Sequence, residues 1–363
     1  MKINTRTMKI LIDIGHPAHV HFFSVPITLW QHSGCEIVVT SRHKEIAVDL
    51  LNARGLTHRP LSSMGDGGVG GLARELVSRD RKLYRLVREE RPDIMVGIGG
   101  VFIAHVGFLT RTPSLVFYDT ENATLSNLIT YPLASLVAVP ACYQAWLPPW
   151  HLRYPGYHEL SYLHPNHFKP DREIALACGL ARDRSTFLIR TVSWQASHDL
   201  REKGWSLELL RQTVHYLSTR GKVLISAESK LPEDLQPYLY TGPPENIHHL
   251  MAHLDLFVGE SATMASECAV LGVPAIYAAE TGRGYTDEQE NRYGLVKNVR
   301  NIRWPELQAA IDDFLGRPRA SYNELRQRLL ADTIDVARFV ADLTLAYPDS
   351  VSRFTAQSTK AGR

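Results

Sequence analysis

The sequence predicts an α/β protein built from two doubly wound, Rossmann-like domains that face each other across a cleft. Three observations carry this reading. Short runs rich in Val, Ile and Leu alternate with helical segments along both halves, the grammar of βαβ units and a parallel sheet. The chain of 363 residues is longer than one hydrophobic core usually supports. The aperiodic stretch "RYPGYHELSYLHPNHFKPDREI", with its prolines and aromatics, separates the halves.

In the first half, "KILIDI" (9–14) predicts a buried strand followed by a helix from about Ala18 to Ser33. "EIVVTSR" (36–42) predicts the second strand, with a helix from about Glu45 to Arg54, and "LTHRPL" (56–61) a short third strand. The glycine-rich "GDGGVGG" (65–71) leads into a long amphipathic helix ending at Glu90. It lacks the Lys-Ser/Thr of a phosphate loop and reads as a connection, or as a lip over an acceptor. The basic run "SRDRKLYRLVREER" (78–91) reads as a solvated helix face. "DIMVGIGG" (93–100), "SLVFYDT" (114–120) and "LVAVP" (136–140) are the further strands of this half.

The second half repeats the pattern with strands at "TFLIRTV" (186–192), "KVLISAE" (222–228), "LDLFVGE" (254–260) and "PAIYAA" (274–279). Helices are expected near 206–220, 246–252 and 262–271, and a last helical region from about Pro305 to Tyr347. The expected organisation is a first domain over 1–155, a linker over 156–174, a second domain over 175–347 and a polar, disordered tail over 348–363.

A formal net charge of +2 gives no basis for nucleic acid as the main partner. Cys35, Cys142, Cys178 and Cys268 are scattered and form no CxxC, so neither a zinc knuckle nor a disulfide framework is indicated. A reducing cytoplasm fits that usage. "MKINTRTMKILIDIG" has too short an apolar run for a signal peptide, and Met8 is an alternative start to Met1. The stretch "LITYPLASLVAVPACYQAWLPPW" (128–150) comes nearest to a membrane span, but its prolines argue against a spanning helix. Peripheral contact with the inner face of a membrane stays open for this segment.

Ligands of doubly wound sheets bind at strand carboxyl ends, so the residues after each strand are the candidates. After the first strand come Gly15, which allows a tight turn, and then His16, His19 and His21. After "SLVFY" come Asp119, Thr120, Glu121 and Asn122. His16 and His19 suit an acid, a base or a phosphate donor. Asp119 and Glu121 suit a base, or alternatively a helix cap. The histidine spacings make no metal site: the i,i+4 pair His249 and His253 has no glutamate beside it.

"VGESATMASECAVLGVPAI" (258–276) runs from a strand into a helix. A helix N-terminus holds unpaired N–H groups and a partial positive charge, which suits an anion. Gly259, Ser261 and Ala262 leave the backbone open, and Ser261 and Thr263 add hydroxyls. Glu267 lies one turn beyond Thr263 on the same face. A carboxylate there repels phosphate but can accept from hydroxyls such as those of a ribose. The plain alternative is a helix capped by Ser261 or Thr263, with Glu267 merely polar.

The pattern Gly-Glu-Ser-x-Thr-Met-x-x-Glu followed by Leu-Gly-x-Pro-Ala-Ile resembles the donor-site motif of GT-B glycosyltransferases. It is similar to the lipid-linked N-acetylglucosaminyltransferase of peptidoglycan synthesis and to UDP-N-acetylglucosamine 2-epimerases. "ILIDIGHPAHVHFF", "YDTENA", "YPGYHELSYLHP" and "GESATMASE" resemble domain of unknown function 354, from about Met8 to Tyr347.

The resemblance implies a GT-B-like fold in which the C-terminal domain holds the nucleotide sugar and the N-terminal domain the acceptor. It implies donor contacts from Gly15, Arg190, Ser193, Gly259, Glu260, Ser261, Ala262, Thr263, Met264 and Arg283, with Glu267 on the ribose. His16, His19, Asp119 and Glu121 are the candidates for the base that deprotonates an acceptor hydroxyl. The expected activity is an inverting, metal-independent transfer from a UDP-sugar to a glycan or lipid-linked acceptor, in cell-surface polysaccharide biosynthesis, with no cofactor. The alternatives are a sugar-nucleotide 2-epimerase and a non-catalytic nucleotide-sugar-binding protein.

Overall fold

The computed structural model describes residues 7–43, 45–63, 69–192 and 204–361. The chain forms two compact units, Met1–Tyr162 with Ile334–Arg363, and Leu163–Thr333.

The first unit contains β1 (Lys9–Ile14), α1 (Pro17–His32), β2 (Glu36–His43), α2 (Glu45–Ala53), β3 (His58–Ser63) and α3 (Val69–Glu90). It continues with β4 (Ile94–Ile98), α4 (Val101–Thr110), β5 (Ser114–Phe117), α5 (Thr124–Thr130), β6 (Leu136–Pro140) and β7 (His151–Tyr154). Its sheet has seven strands in the order β3-β2-β1-β4-β5-β6-β7. Every pairing is parallel. Helices cover both faces, which is why Ile10–Leu11–Ile12 of β1 read as an apolar run. On one face Leu11, Met95 and Val116 cluster with Leu83 of α3 and Ile103 of α4. The strand order reverses between β1 and β4, so the loops after those two strands flank the switch point.

After the short turn α6 (Leu160–Leu163), the second unit runs through α7 (Arg172–Ala177), β8 (Ser185–Thr191), α8 (Leu207–Ser218), β9 (Gly221–Ala227), α9 (Ile247–Met251) and β10 (Leu256–Gly259). It ends with α10 (Ala262–Leu271), β11 (Ala275–Tyr277), α11 (Gly284–Glu288), β12 (Val296–Asn298), α12 (Trp304–Leu315) and α13 (Arg319–Asp332). Its five strands lie in the order β12-β11-β10-β8-β9, again all parallel. The switch point here falls between β8 and β10.

The fold is doubly wound twice, as expected, but the chain ends differently. The second domain does not run to Tyr347, and the tail is not structureless. The chain returns to the first unit as α14 (Val336–Leu345) and α15 (Asp349–Ala361). Helix α14 buries Val336, Val340 and Leu343, and the Trp30 indole of α1 donates to its Ala341 carbonyl at 3.3 Å. Phe354 of α15 meets Phe339 of α14 edge-on at 4.8 Å, and Phe339 lies 4.8 Å from Tyr154 of β7. A polar composition hid this anchor, which also uses the buried Ser350, whose hydroxyl donates to the Leu343 carbonyl at 2.8 Å. The division between Tyr162 and Leu163 falls inside the stretch 156–174 read as linker. Strands β7 and β12 were absent from the sequence reading; four and three residues long, they are too short to show a period.

Candidate functional site

At the switch point of the first unit, β1 ends at Ile14 and Gly15 turns the chain into α1. His16 is the N-cap of α1, and its Nδ1 accepts the Ala18 N–H at 3.2 Å. His19, one turn in, accepts the Gly15 N–H on Nδ1 at 3.2 Å. The neutral ring therefore carries its proton on Nε2. Burial, then the nearby His16, push the His19 imidazole down to about 3, against the opposing pull of Asp119. His19 is thus a neutral donor across the physiological range.

Asp119 follows β5 and faces the same group. Its Oδ2 lies 3.1 Å from Nδ1 of His158, and its Oδ1 accepts the Thr120 hydroxyl at 3.0 Å. Burial alone would raise this carboxyl; the charge and hydrogen bond of His158, with the Thr120 hydroxyl, outweigh it and hold the group at about 2. An ionised Asp119 accepts the Nδ1–H of His158, and in the neutral form of that ring the tautomer so fixed leaves a lone pair on Nε2. His158 is only 6% exposed, its ring lies tilted against Phe22 with centroids 4.6 Å apart, and its Nε2 is buried with no hydrogen-bond partner among the described residues. An imidazole oriented by a carboxylate and holding an unused nitrogen is the arrangement of a general base.

Beneath this group, Asp13 of β1 receives Arg79 at 2.8 and 3.0 Å and the Thr40 hydroxyl at 2.7 Å. Arg79 lies on α3, buried, with its guanidinium 4.1 Å over the Phe102 ring. The run 78–91 is therefore not wholly a solvated face. The charge of Glu121 acts on Tyr131 and Tyr143, whose hydroxyls are 2.9 Å apart. The structure groups His16, His19 and Asp119 and adds His158. The residue sits in the motif "YPGYHELSYLHP", but a lone histidine far along the chain carries no signal of its carboxylate partner.

In the second unit, the candidates gather after β8, β10 and β11. Gly259 ends β10, and a Cβ there would overlap the Arg190 backbone of β8. Its openness serves close strand packing. Glu260 acts as a clamp: Oε2 accepts the Val192 N–H at 3.0 Å and Oε1 the Trp205 N–H at 2.8 Å. Burial raises its carboxyl, although the two amides oppose the shift. Ser261 is the N-cap of α10 and accepts the Met264 N–H at 3.2 Å. Ala262, Thr263 and Met264 form the partly exposed first turn, whose leading amides have no partner within the helix.

Arg190 reaches across to β9, donating to the Ser226 hydroxyl at 2.9 Å and pairing with Glu228. Arg283 caps α11 and donates to the Gly282 carbonyl at 3.0 Å. Arg300, which the sequence did not single out, packs its guanidinium on Gly282 and pairs with Asp287 at 2.6 Å. Ser193 lies outside the described residues. Glu267 is 5% exposed, and its Oε1 lies 2.9 Å from Nε2 of His248 on α9. Among the described residues no group of three or more His, Cys, Asp or Glu is arranged to hold a metal ion.

Two all-parallel, doubly wound sheets with candidate loops at their strand carboxyl ends define a GT-B-like fold. Solved structures agree on the fold. UDP-N-acetylglucosamine 2-epimerase from Rickettsia bellii superposes with a TM-score of 0.66 at 14% identity, covering 96% of this chain and 99% of its own. Spinosyn rhamnosyltransferase SpnG, complexed with thymidine diphosphate, superposes with a TM-score of 0.63 at 14% identity, covering 93% and 100%. The chain belongs to the family described as "Protein of unknown function (DUF354)", which it matches over residues 8–282. An uncharacterized protein of Methanocaldococcus jannaschii is 22% identical over 285 residues, which is 74% of this chain and 81% of that protein.

Proposed function

We propose that this protein is a glycosyltransferase that moves a sugar from a nucleoside diphosphate sugar, of the UDP type, to a hydroxyl of a glycan or lipid-linked acceptor in cell-surface polysaccharide synthesis. The observation that carries the reading is the Asp119–His158 pair with its unused Nε2. Inverting transfer needs a base to take the acceptor proton, and this pair supplies one. His19, with its proton on Nε2, orients the acceptor or donor oxygen. The second unit binds the donor: the first turn of α10 meets the diphosphate through its amides, and Glu267, set by His248, meets the ribose. Arg283, and Arg190 on release from Glu228, offset charge on the leaving diphosphate.

A second reading rests on the same pair. A base of this kind can also remove the proton at C2 of a UDP-sugar, which is the need of a 2-epimerase. The fold likeness to a UDP-N-acetylglucosamine 2-epimerase supports keeping it. Incubation of the purified protein with UDP-sugars separates the readings. A transferase releases UDP at a rate that rises steeply when an acceptor is added. An epimerase yields a second UDP-sugar by NMR with no acceptor present. If neither occurs while a UDP-sugar still binds, the protein is a binding protein and both catalytic readings fail.

A further inference from the structure

Seven of the nine large exposed apolar side chains among the described residues lie on one face of the first unit. Helix α5 presents Leu125 (76% exposed), Leu128 and Ile129, and the end of α4 presents Phe108 and Leu109. The two helices are tied where Nε2 of His105 on α4 meets the Ile129 carbonyl at 3.1 Å. Trp146 and Trp150 complete the face beside Tyr131: the Trp146 ring lies 6.0 Å from the Tyr131 ring, and the Trp150 indole donates to the Tyr131 carbonyl at 3.0 Å. An apolar area of this kind on a monomer marks an interaction surface.

Three features choose the partner. From Asn122 to Trp150 the chain contains no Asp, Glu, Lys or Arg, and α4 contains none either. Two tryptophans stand at the surface, and rings with an apolar body and one N–H favour the headgroup level of a bilayer. Arg111 directly follows α4 and is exposed; among the described residues nothing engages its guanidinium. It lines one cavity of about 690 Å³ with Phe108, Leu109, Pro132 and Leu133. A cation at the edge of an uncharged apolar face complements a phosphate-rich lipid surface. A two-fold contact between copies would instead bring this face and its Arg111 against another copy's, with no carboxylate from 122–150 to receive the charge.

We propose that this face docks on a phospholipid bilayer, with the apolar side chains of α4, α5 and the Trp146–Trp150 loop in the interface and Arg111 on lipid phosphate. The face lies outside the proposed catalytic groups, so the test needs no sugar substrate. The full chain is sedimented with vesicles of phosphatidylcholine, with and without phosphatidylglycerol. The unaltered protein is expected to sediment with both, more completely with the anionic lipid. The double variant Leu125→Glu, Leu128→Glu is expected to lose at least about tenfold in partitioning, since each buried leucine contributes roughly a tenfold factor. A thermal midpoint unchanged from the parent confirms its folding, and Phe108→Ser with Leu109→Ser serves if that variant fails to fold. Arg111→Gln should remove only the preference for anionic vesicles. The proposal is overturned if the unaltered protein stays in the supernatant, or if the folded double variant sediments as well as the parent. It is equally overturned if light scattering shows a dimer that the double variant disrupts while vesicles bind neither.

Discussion

Nδ1 of His158 lies 3.1 Å from Oδ2 of Asp119, although the two residues are far apart in the chain and follow different strands. The carboxylate fixes the imidazole, and the opposite nitrogen is left without a partner among the described residues. His158→Gln and Asp119→Asn are therefore expected to lower turnover by about 10²–10⁴-fold. UDP affinity, measured by calorimetry, should stay near that of the parent, because the proposed ribose contact and the α10 contact with the diphosphate lie in the other unit. Equal loss of turnover and UDP binding would mean that the pair is structural.

His19 makes the acid limb of stability testable. Its folded-state value of about 3 lies below the ordinary 6.5. The unfolded chain thus takes up a proton that the folded chain refuses. The stability from the neutral ring is complete above about pH 6.5 and is lost as pH falls toward 3. His19→Asn keeps an acceptor for the Gly15 N–H and removes the titration. Urea midpoints followed from pH 7 to pH 4 should fall less steeply in this variant than in the parent. Asp119 adds a separate, lower window: held at about 2 against the ordinary 3.8, its contribution of roughly 2 kcal/mol is present above pH 4 and is lost toward pH 2.

Glu260 holds the Val192 and Trp205 amides with one carboxylate. Glu260→Ala should destabilise the protein by roughly 1.5–3 kcal/mol, the range for hydrogen bonds to a charged group. Glu260→Gln keeps one acceptor oxygen and should lose less. Chemical denaturation with an unchanged slope gives the comparison. A neutral result for the alanine variant would show that other contacts hold the end of β8 and the approach to α8.

Glu267 and His248 form a buried pair 2.9 Å apart. If Glu267 meets a ribose, Glu267→Ala should weaken UDP binding by roughly 1.5–3 kcal/mol. His248→Gln should cost less, because it removes the positioning partner and leaves the carboxylate. UDP titrations on folded protein measure both. An alanine variant that binds UDP like the parent would assign the pair to the core of the second unit.

Much of the architecture was legible because it is local. A strand buried on both faces must be an apolar run, so β1 and β8 announce themselves in "KILIDI" and "TFLIRTV". A serine before an apolar helix that stops at glycine marks α10, and the structure places Ser261 and Gly272 as its two caps. The loops after β1, β5 and β10 were equally readable, since ligand sites follow strand carboxyl ends. What depends on partners distant in sequence was not. Glu260 holds the Val192 and Trp205 amides, Arg79 looked solvated and is buried on Asp13, and the polar tail docks with Phe354 on Phe339. The His158–Asp119 pair was hidden for the same reason: nothing in the chain near His158 tells that Asp119 will accept its Nδ1–H. Sequence period reports which side of an element faces away from water. Only folding decides which charged or polar group waits there, because that pairing is set by the crossing of elements far apart in the chain.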